Sequence, residues 1–164
     1  FRLWLSSSPH PKFPIGILQR GLKMTTEPPK GLKANMTRLI NNVPEVKFNA
    51  CGKPHKYKKL LYAMCWFHSV LVDRREFGNL GWNIPYEFNA GDLLASKIMV
   101  QNHIDDMDPK KGVIWDAVRY HLGEVQYGGR VTDDCDRRVV ETYMQEYLGD
   151  FLFDTFRART RGAE

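Results

Sequence analysis

Several features that mark common protein classes are absent from this sequence. Its 164 residues include only three cysteines, which lie far apart and form no C-x-x-C pair: Cys51, Cys65 and Cys135. This pattern argues against a disulfide framework or a zinc site and favours a reducing compartment. The longest nearly uninterrupted apolar run, residues 60–67, has eight residues, whereas a membrane-spanning helix needs about 18. We therefore expect no membrane contact.

The motifs of common catalytic and binding sites are missing as well. The single Gly-Lys pair, at residues 52–53, has no glycine five residues before it and is followed by Pro54, so the sequence has no phosphate-binding loop. No two of its five histidines are three or four residues apart, as metal motifs require, and the acidic turn 105–108 lacks the glycine and closing glutamate of a calcium loop. His68 and Cys65 lie on an apolar helix face, where we expect a structural histidine and an unreactive thiol. We expect no catalytic, nucleotide-binding or metal-binding residue and no cofactor.

What remains is the composition of a folded domain with an uneven charge distribution. Hydrophobic residues make up 43% and charged residues 26%, values typical of soluble globular proteins. Residues 1–75 hold fourteen Lys and Arg against three Asp and Glu, whereas residues 76–164 hold ten against sixteen. A basic half of this kind is compatible with nucleic-acid binding, and equally with attraction between the two halves or to a neighbouring subunit.

Helical periodicity dominates the predicted secondary structure. The alternating residues 1–5 predict one short strand, and Pro14 suits the first turn of a short helix that ends at residue 22. Apolar residues at helical spacing predict further helices at 32–40, 55–77, 90–104, 114–122 and 133–148. Asn89 and Thr132 are the expected N-caps of the helices that follow them. Helices without alternating strands indicate a mainly α fold, a helical bundle preceded by one orphan β-strand.

Two loops carry side chains that indicate a structural role. Residues 77–88 combine glycine and proline with large aromatic side chains, and we expect Trp82 to be buried and to anchor this loop to the 55–77 helix. Further along, a Gly-Gly pair permits a sharp reversal of the chain, and Arg130 can form charge-assisted hydrogen bonds with Asp133 or Asp134. The candidate structural or interface residues are Trp82, Tyr86, Tyr127, Gly128, Gly129, Arg130, Asp133 and Asp134.

Four collinear stretches point to a known family: FRLWL at 1–5, TEPPKGL at 26–32, FGNLGWNIPYEFN at 77–89 and GEVQYGGRVTDD at 123–134. In this order and spacing they resemble the C-terminal part of dynein heavy chains, within the sixth and last AAA+ module of the motor ring. The similarity covers about residues 1–150. In the turn at 104–115, the sequence is most similar to the outer-arm axonemal branch of the family.

This resemblance implies a division of the chain. Residues 1–25 would form the end of the large AAA+ subdomain, which leaves the strand without its sheet. Residues 26–156 would form the helical lid subdomain. Residues 157–164 lie outside the resemblance, and we expect them to form a disordered tail because chain ends are often poorly ordered. In the family this last module does not hydrolyse nucleotide, and ATP with magnesium is used in other modules of the ring. The basic residues of the 30–38 stretch are therefore assigned no nucleotide role.

The function implied by the resemblance is structural and not enzymatic. The chain would close the motor ring and help to transmit ATP-driven conformational change for movement along microtubules. Its partners would be the neighbouring AAA+ modules of the same heavy chain and, through the parent protein, the microtubule and the dynein intermediate and light chains. The expected location is the cytoskeleton, in the axoneme of a cilium or flagellum.

Two hypotheses from other classes stay open at this point. The first is an independent helical nucleic-acid-binding module that uses the basic residues 1–75, with the lysine-rich stretch 53–59 as its candidate surface. Salt-dependent binding of DNA or RNA would distinguish it from a motor segment, which is expected to bind no nucleic acid. The second is an enzyme whose site carries no recognisable motif, and no sequence feature supports it.

Overall fold

A computed structural model describes residues 1–7, 10–24, 30–44, 51–108 and 112–153. The α-helices in these ranges are α1 (Ile15–Arg20), α2 (Leu32–Asn41), α3 (Pro54–Arg74), α4 (Ala90–Asp105), α5 (Trp115–Tyr120) and α6 (Asp134–Tyr147). Segments of 3₁₀ helix follow α3 at Arg75–Leu80 and α6 at Asp150–Leu152. The predicted tail, 157–164, lies outside the described residues. Within the described ranges, no helix combines the length and the apolar character needed to cross a bilayer.

Helix α3 is the centre of the fold, because it contacts α2, α4 and α6. Four apolar side chains along it have no exposed surface: Leu60, Met64, Phe67 and Leu71. Their spacing of three and four residues places them on one helix face, and burying a side chain of this size contributes about 1.5–3 kcal/mol. Other elements complete the core with Val100, Ile104, Val118, Leu122, Tyr127, Val140, Met144 and Leu148. The predicted helical bundle and its long third helix are confirmed.

Two helices begin where the sequence signals place them. Pro54 is the first residue of α3, where the N–H that proline lacks would have no partner within the helix. Asn89 caps α4 as predicted, because its side chain accepts hydrogen bonds from the backbone N–H groups of Gly91 and Asp92. The carboxylate of Asp92 accepts one from the N–H of Asn89 in return, which completes a capping box.

The predicted N-cap of α6, Thr132, is wrong, because Asp133 has this role. The carboxylate of Asp133 accepts hydrogen bonds from the backbone N–H groups of Cys135 at 2.9 Å and Asp136 at 3.0 Å. A carboxylate is favoured here since its charge also interacts with the positive end of the helix dipole. In a run with several suitable acceptors, the sequence alone does not decide where the helix begins.

The structure does not show the predicted orphan strand at residues 1–5. Residues 1–7 have no regular secondary structure, and no strand occurs anywhere in the described ranges. A strand needs a neighbour whose backbone satisfies its N–H and C=O groups, and the described part of the chain offers only helices and turns. Helix α1, which follows, is one and a half turns long and buries none of its side chains.

Helix α5 is shorter than the predicted 114–122 helix, because its α-helical hydrogen bonding ends at Tyr120. It continues directly into a π-helix, His121–Tyr127, and then into a 3₁₀ turn, Gly128–Arg130. Long π-helical segments are rare in proteins. The chain is so compact here that a Cβ atom at Gly128 would overlap the carbonyl oxygen of Gly123.

Candidate functional site

The aromatic loop, defined as residues 75–88, is fixed on the surface of α3. The side chain of Trp82 is 2% exposed, and its Nε1–H donates a hydrogen bond to the backbone C=O of Leu71 at 3.1 Å. The ring of Tyr86, which is also buried, lies edge-on to that of Trp82 with 5.6 Å between centroids, an arrangement that ring quadrupoles favour. The prediction that Trp82 is buried and anchors the loop to this helix is confirmed.

Arg74, the last residue of α3, connects the aromatic loop to α6. Its Nε and Nη2 atoms donate hydrogen bonds to the C=O of Gly81 at 3.0 and 2.7 Å, and Nη1 donates to the hydroxyl of Tyr143 at 2.8 Å. The guanidinium carbon also lies 5.2 Å from the centroid of the Trp82 ring, within cation–π range. The sequence analysis missed Arg74, because basic residues are common in the last turn of a helix.

The buried carboxylate of Asp136, in the first turn of α6, binds the backbone of the aromatic loop. It accepts hydrogen bonds from the N–H of Asn83 at 3.1 Å and from the N–H of Ile84 at 3.3 Å. Asp136 is only 4% exposed, and charge-assisted hydrogen bonds are about twice as strong as neutral ones. Asp136 was not among the candidate residues predicted from the sequence.

Asp133 joins the same two segments from the neighbouring position. Its carboxylate accepts a hydrogen bond from Nδ2 of Asn83 at 3.0 Å, and its backbone N–H donates to the hydroxyl of Tyr86 at 3.2 Å. Hydrogen bonds from the N–H of Asp136 and from Asn83 hold the pKa of Asp133 below its usual value. The structure therefore brings together Trp82, Tyr86 and Asp133 of the predicted set, whereas Asp134 is exposed.

The predicted hydrogen bonds of Arg130 with Asp133 or Asp134 are wrong. Arg130 Nε instead donates to the carboxylate of Asp92 in α4 at 2.9 Å. Asp92 is the buried member of the capping box, and the oxygen that binds Arg130 is not the one that accepts from Asn89. This ion pair links α4 to the turn that precedes α6.

The two glycines of this turn differ in how closely other atoms approach them. Neither Gly128 nor Gly129 has a positive φ, so neither needs the left-handed conformation. Gly128 is buried and is required for space, because a side chain there would overlap the carbonyl of Gly123. At Gly129, no atom lies within 4 Å of the position of a Cβ.

A buried polar pair connects α3 to the π-helix. His68 Nδ1 lies 3.1 Å from the hydroxyl of Tyr127, and both residues are buried. Burial lowers the pKa of His68 to about 4 and raises the pKa of Tyr127, so both side chains are neutral near pH 7. The ring of Phe67 packs edge-on against Tyr127 at 5.0 Å. The expectation of a structural histidine at position 68 is confirmed, and Tyr127 belongs to the core.

The lysine-rich stretch 53–59 is engaged within the protein. Lys53 Nζ donates to the carbonyls of Ile104 at 3.3 Å and Met107 at 2.6 Å, at the C-terminal end of α4. Lys59 Nζ donates to the carbonyl of Phe153 at 3.3 Å, and the Lys56 ammonium lies 5.3 Å from the centroid of the Phe153 ring. Because these lysines contact carbonyls and an aromatic ring of the chain itself, the stretch gives no support to the nucleic-acid hypothesis.

The acidic turn after α4 also has internal partners. Asp105 Oδ1 accepts hydrogen bonds from the backbone N–H of Gly52 at 2.9 Å and from the thiol of Cys51 at 3.2 Å. Burial raises the pKa of the Cys51 thiol, which keeps it a donor and a poor nucleophile. In the part of the chain that the structure describes, no three His, Cys, Asp or Glu side chains are placed to hold a metal ion together.

These elements define a small helical domain. In it, charged side chains bind the aromatic loop and the turn before α6 to the ends of helices. The family model of the dynein heavy chain AAA lid domain matches residues 57–162. The chain belongs to this family. The resemblance to dynein heavy chains and the predicted lid fold are thereby confirmed.

Individual dynein heavy chains are similar to nearly the whole chain. Dynein axonemal heavy chain 2 of Mus musculus is 54% identical over 155 residues, or 94% of this chain and 3% of that protein. The Dynein-1-beta heavy chain, flagellar inner arm I1 complex, of Chlamydomonas reinhardtii is 52% identical over 147 residues, covering 90% and 3%. Dynein axonemal heavy chain 8 of Homo sapiens is 46% identical over 154 residues, covering 94% and 3%.

The chain thus spans about 3% of the length of the relatives that it matches. Since the Chlamydomonas protein is named for an inner arm, its similarity gives no support to the outer-arm resemblance of the 104–115 turn.

Proposed function

We propose that this chain is a non-catalytic lid segment of an axonemal dynein heavy chain in the cytoskeleton of cilia or flagella. It transmits conformational change, driven by ATP hydrolysis in other modules of the heavy chain, between neighbouring modules of the ring. The contacts of Asp136 are the observation that carries this proposal, because they connect the aromatic loop to the start of α6 through a buried charge.

A segment that transmits motion must move as one body, and three charged side chains support this property. Arg74 connects α3 to α6 through Tyr143. Asp136 connects α6 to the aromatic loop, and Arg130 connects the turn before α6 to α4. Charge-assisted hydrogen bonds around a close-packed core resist deformation, so a displacement at one helix is passed to the others.

We also propose that the first 24 residues contact a neighbouring AAA+ module of the same heavy chain. Many large apolar side chains of this segment are exposed: Phe1, Leu3, Trp4, Leu5, Ile15, Ile17, Leu18, Leu22 and Met24. Single exposed apolar residues are common, but a concentration of them indicates a surface that another chain or domain covers. The heavy-chain relatives are more than long enough to supply such a domain, since this chain spans about 3% of their length.

The test compares two substitutions in a full-length axonemal heavy chain, Asp136→Asn and Asp134→Asn. We expect Asp136→Asn to leave basal ATP hydrolysis within about twofold of the unmodified motor and to reduce microtubule gliding velocity several-fold. Asp134→Asn is the control and should change neither quantity. Normal gliding with Asp136→Asn would contradict transmission through this domain, and complete loss of basal ATP hydrolysis with an intact ring would contradict a non-catalytic role.

A further inference from the structure

Two histidines from different elements meet at the surface of the domain. His103 lies in the last turn of α4, and His121 is the first residue of the π-helix. His103 Nε2 and His121 Nδ1 are 3.3 Å apart, and the centroids of the two rings are 5.3 Å apart. Neither residue takes part in the aromatic-loop contacts or in the His68–Tyr127 pair.

We propose that His103 and His121 chelate one divalent transition-metal ion of the zinc class. Around a tetrahedral zinc ion with Zn–N bonds of 2.0–2.1 Å, two ligand nitrogens are about 3.3–3.4 Å apart. Two imidazoles that share such an ion have ring centroids roughly 5.2 Å apart by the same geometry. Both distances in the structure agree with these values. The same nitrogens are within hydrogen-bond distance of each other, so the ion would take the place of the proton that the two rings share.

The surroundings of the pair suit a two-imidazole site completed by water. His121 is exposed and His103 is half-buried, so solvent reaches the space between them. Imidazole nitrogens are good ligands for zinc, copper and nickel and poor ones for magnesium and calcium. The π-helix that begins at His121 is a second observation in favour of a binding site here, because π-helical segments occur often at functional sites.

A bound ion would cross-link two elements that are distant in the sequence. His103 and His121 are 18 positions apart, and the segment between them includes the acidic turn and α5. Because the two histidines are close together only in the folded chain, an ion that binds both would stabilise the fold by mass action.

The first experiment is calorimetric titration of the 164-residue chain with Zn²⁺ at pH 7.5. We expect one ion per chain, and an affinity at least tenfold lower in both His103→Ala and His121→Ala. His55→Ala removes an exposed histidine at the start of α3 and Cys135→Ser removes the exposed thiol, and both controls should bind as the unmodified chain does. Absence of binding, or unchanged affinity in either of the first two variants, would overturn the proposal.

The second experiment identifies the ligands with Cu²⁺ and pulsed electron paramagnetic resonance. The unmodified chain should show two coordinated imidazoles, and each single variant should show one. A spectrum with one imidazole in the unmodified chain, or the loss of an imidazole in His55→Ala, would place the ion elsewhere and refute the site.

Discussion

Two aspartates in the first turn of α6 have very different surroundings. Asp136 is 4% exposed and accepts hydrogen bonds from the backbone of Asn83 and Ile84, whereas Asp134 is exposed. Replacing Asp136 by Asn removes the charge and directs an amide donor or a weaker acceptor at these N–H groups. We expect Asp136→Asn to lower the free energy of unfolding by about 1–3 kcal/mol.

Urea unfolding of the 164-residue chain measures this change in free energy. Asp134→Asn is the matched control, and we expect a change within about 0.5 kcal/mol. Equal stability of the two variants would show that the contacts between Asp136 and the aromatic loop do not stabilise the fold.

The pH dependence of stability can be assigned to His68. The unfolded chain binds a proton at this residue with the ordinary pKa of 6.5, whereas burial lowers the folded pKa to about 4. Between these values the unfolded state binds more protons, so stability is lost as the pH falls from 6.5 towards 4. We expect a loss of about 2 kcal/mol between pH 7.5 and 5 from this group.

Urea unfolding of His68→Gln at both pH values tests the assignment. Gln can still bond to Tyr127 but does not titrate, so the variant should be less stable at pH 7.5 and less dependent on pH. His55→Gln, at an exposed position, should keep the pH dependence of the unmodified chain. Asp133 contributes to stability in a separate pH range. Because its pKa is lowered in the folded state, its contribution is fully present above pH 3.8 and is lost only at lower pH. An unchanged slope in His68→Gln would show that another group titrates.

At the scale of elements, the connection between the π-helix and α6 depends on one of two adjacent glycines. A Cβ at Gly128 would overlap the carbonyl oxygen of Gly123, but a Cβ at Gly129 would have open space and no positive φ to oppose it. We expect Gly128→Ala to cost about 1–3 kcal/mol through overpacking. Gly129→Ala should be neutral or stabilising by about 0.4–1 kcal/mol, because alanine restricts the unfolded chain. Thermal unfolding of the two variants measures these changes in stability. A Gly128→Ala variant more stable than the Gly129→Ala variant would contradict this account of the turn.

The helices themselves were largely predictable, because their apolar residues recur every three or four positions. In α3 this period identifies Leu60, Met64 and Leu71 as core residues without any structural information. The π-helix was not predictable, since a helix with one more residue per turn buries nearly the same side chains, and the crowding at Gly128 that accompanies it is visible only in three dimensions.

The site was predictable in its aromatic part and not in its charged part. The glycine and proline around Trp82 indicate a fixed loop, and a tryptophan in such a loop is buried for its apolar surface. The partner of Arg130 could not be predicted, because Asp92 is 38 residues away and sequence proximity favoured Asp133. The strand predicted at residues 1–5 is not shown by the structure for a similar reason, since a strand depends on partners that the local pattern does not reveal.

At the scale of the whole molecule, the first residues and the helical core should be separable. Phe1, Leu3, Trp4 and Leu5 are 61% or more exposed, so they contribute little to the fold. We expect deletion of residues 1–5 to leave the helical content and thermal midpoint unchanged and to reduce self-association, because exposed apolar segments tend to pair with other chains.

Circular dichroism and sedimentation velocity measure the two parts of this prediction. The double substitution Leu3→Ser and Trp4→Ser is the control for chain length, and it should reduce self-association without unfolding the domain. Unfolding on deletion would show that the segment is an integral part of the core.

The contacts at the start of α3 also determine how the domain carries mechanical load. Lys53 binds the carbonyls of Ile104 and Met107, while Asp105 binds Cys51 and Gly52 in return. A pull on the chain at residue 51 therefore acts on α3 through the backbone and on α4 through these hydrogen bonds at the same time. Two helices therefore share the force at this junction, and α3 does not carry it alone.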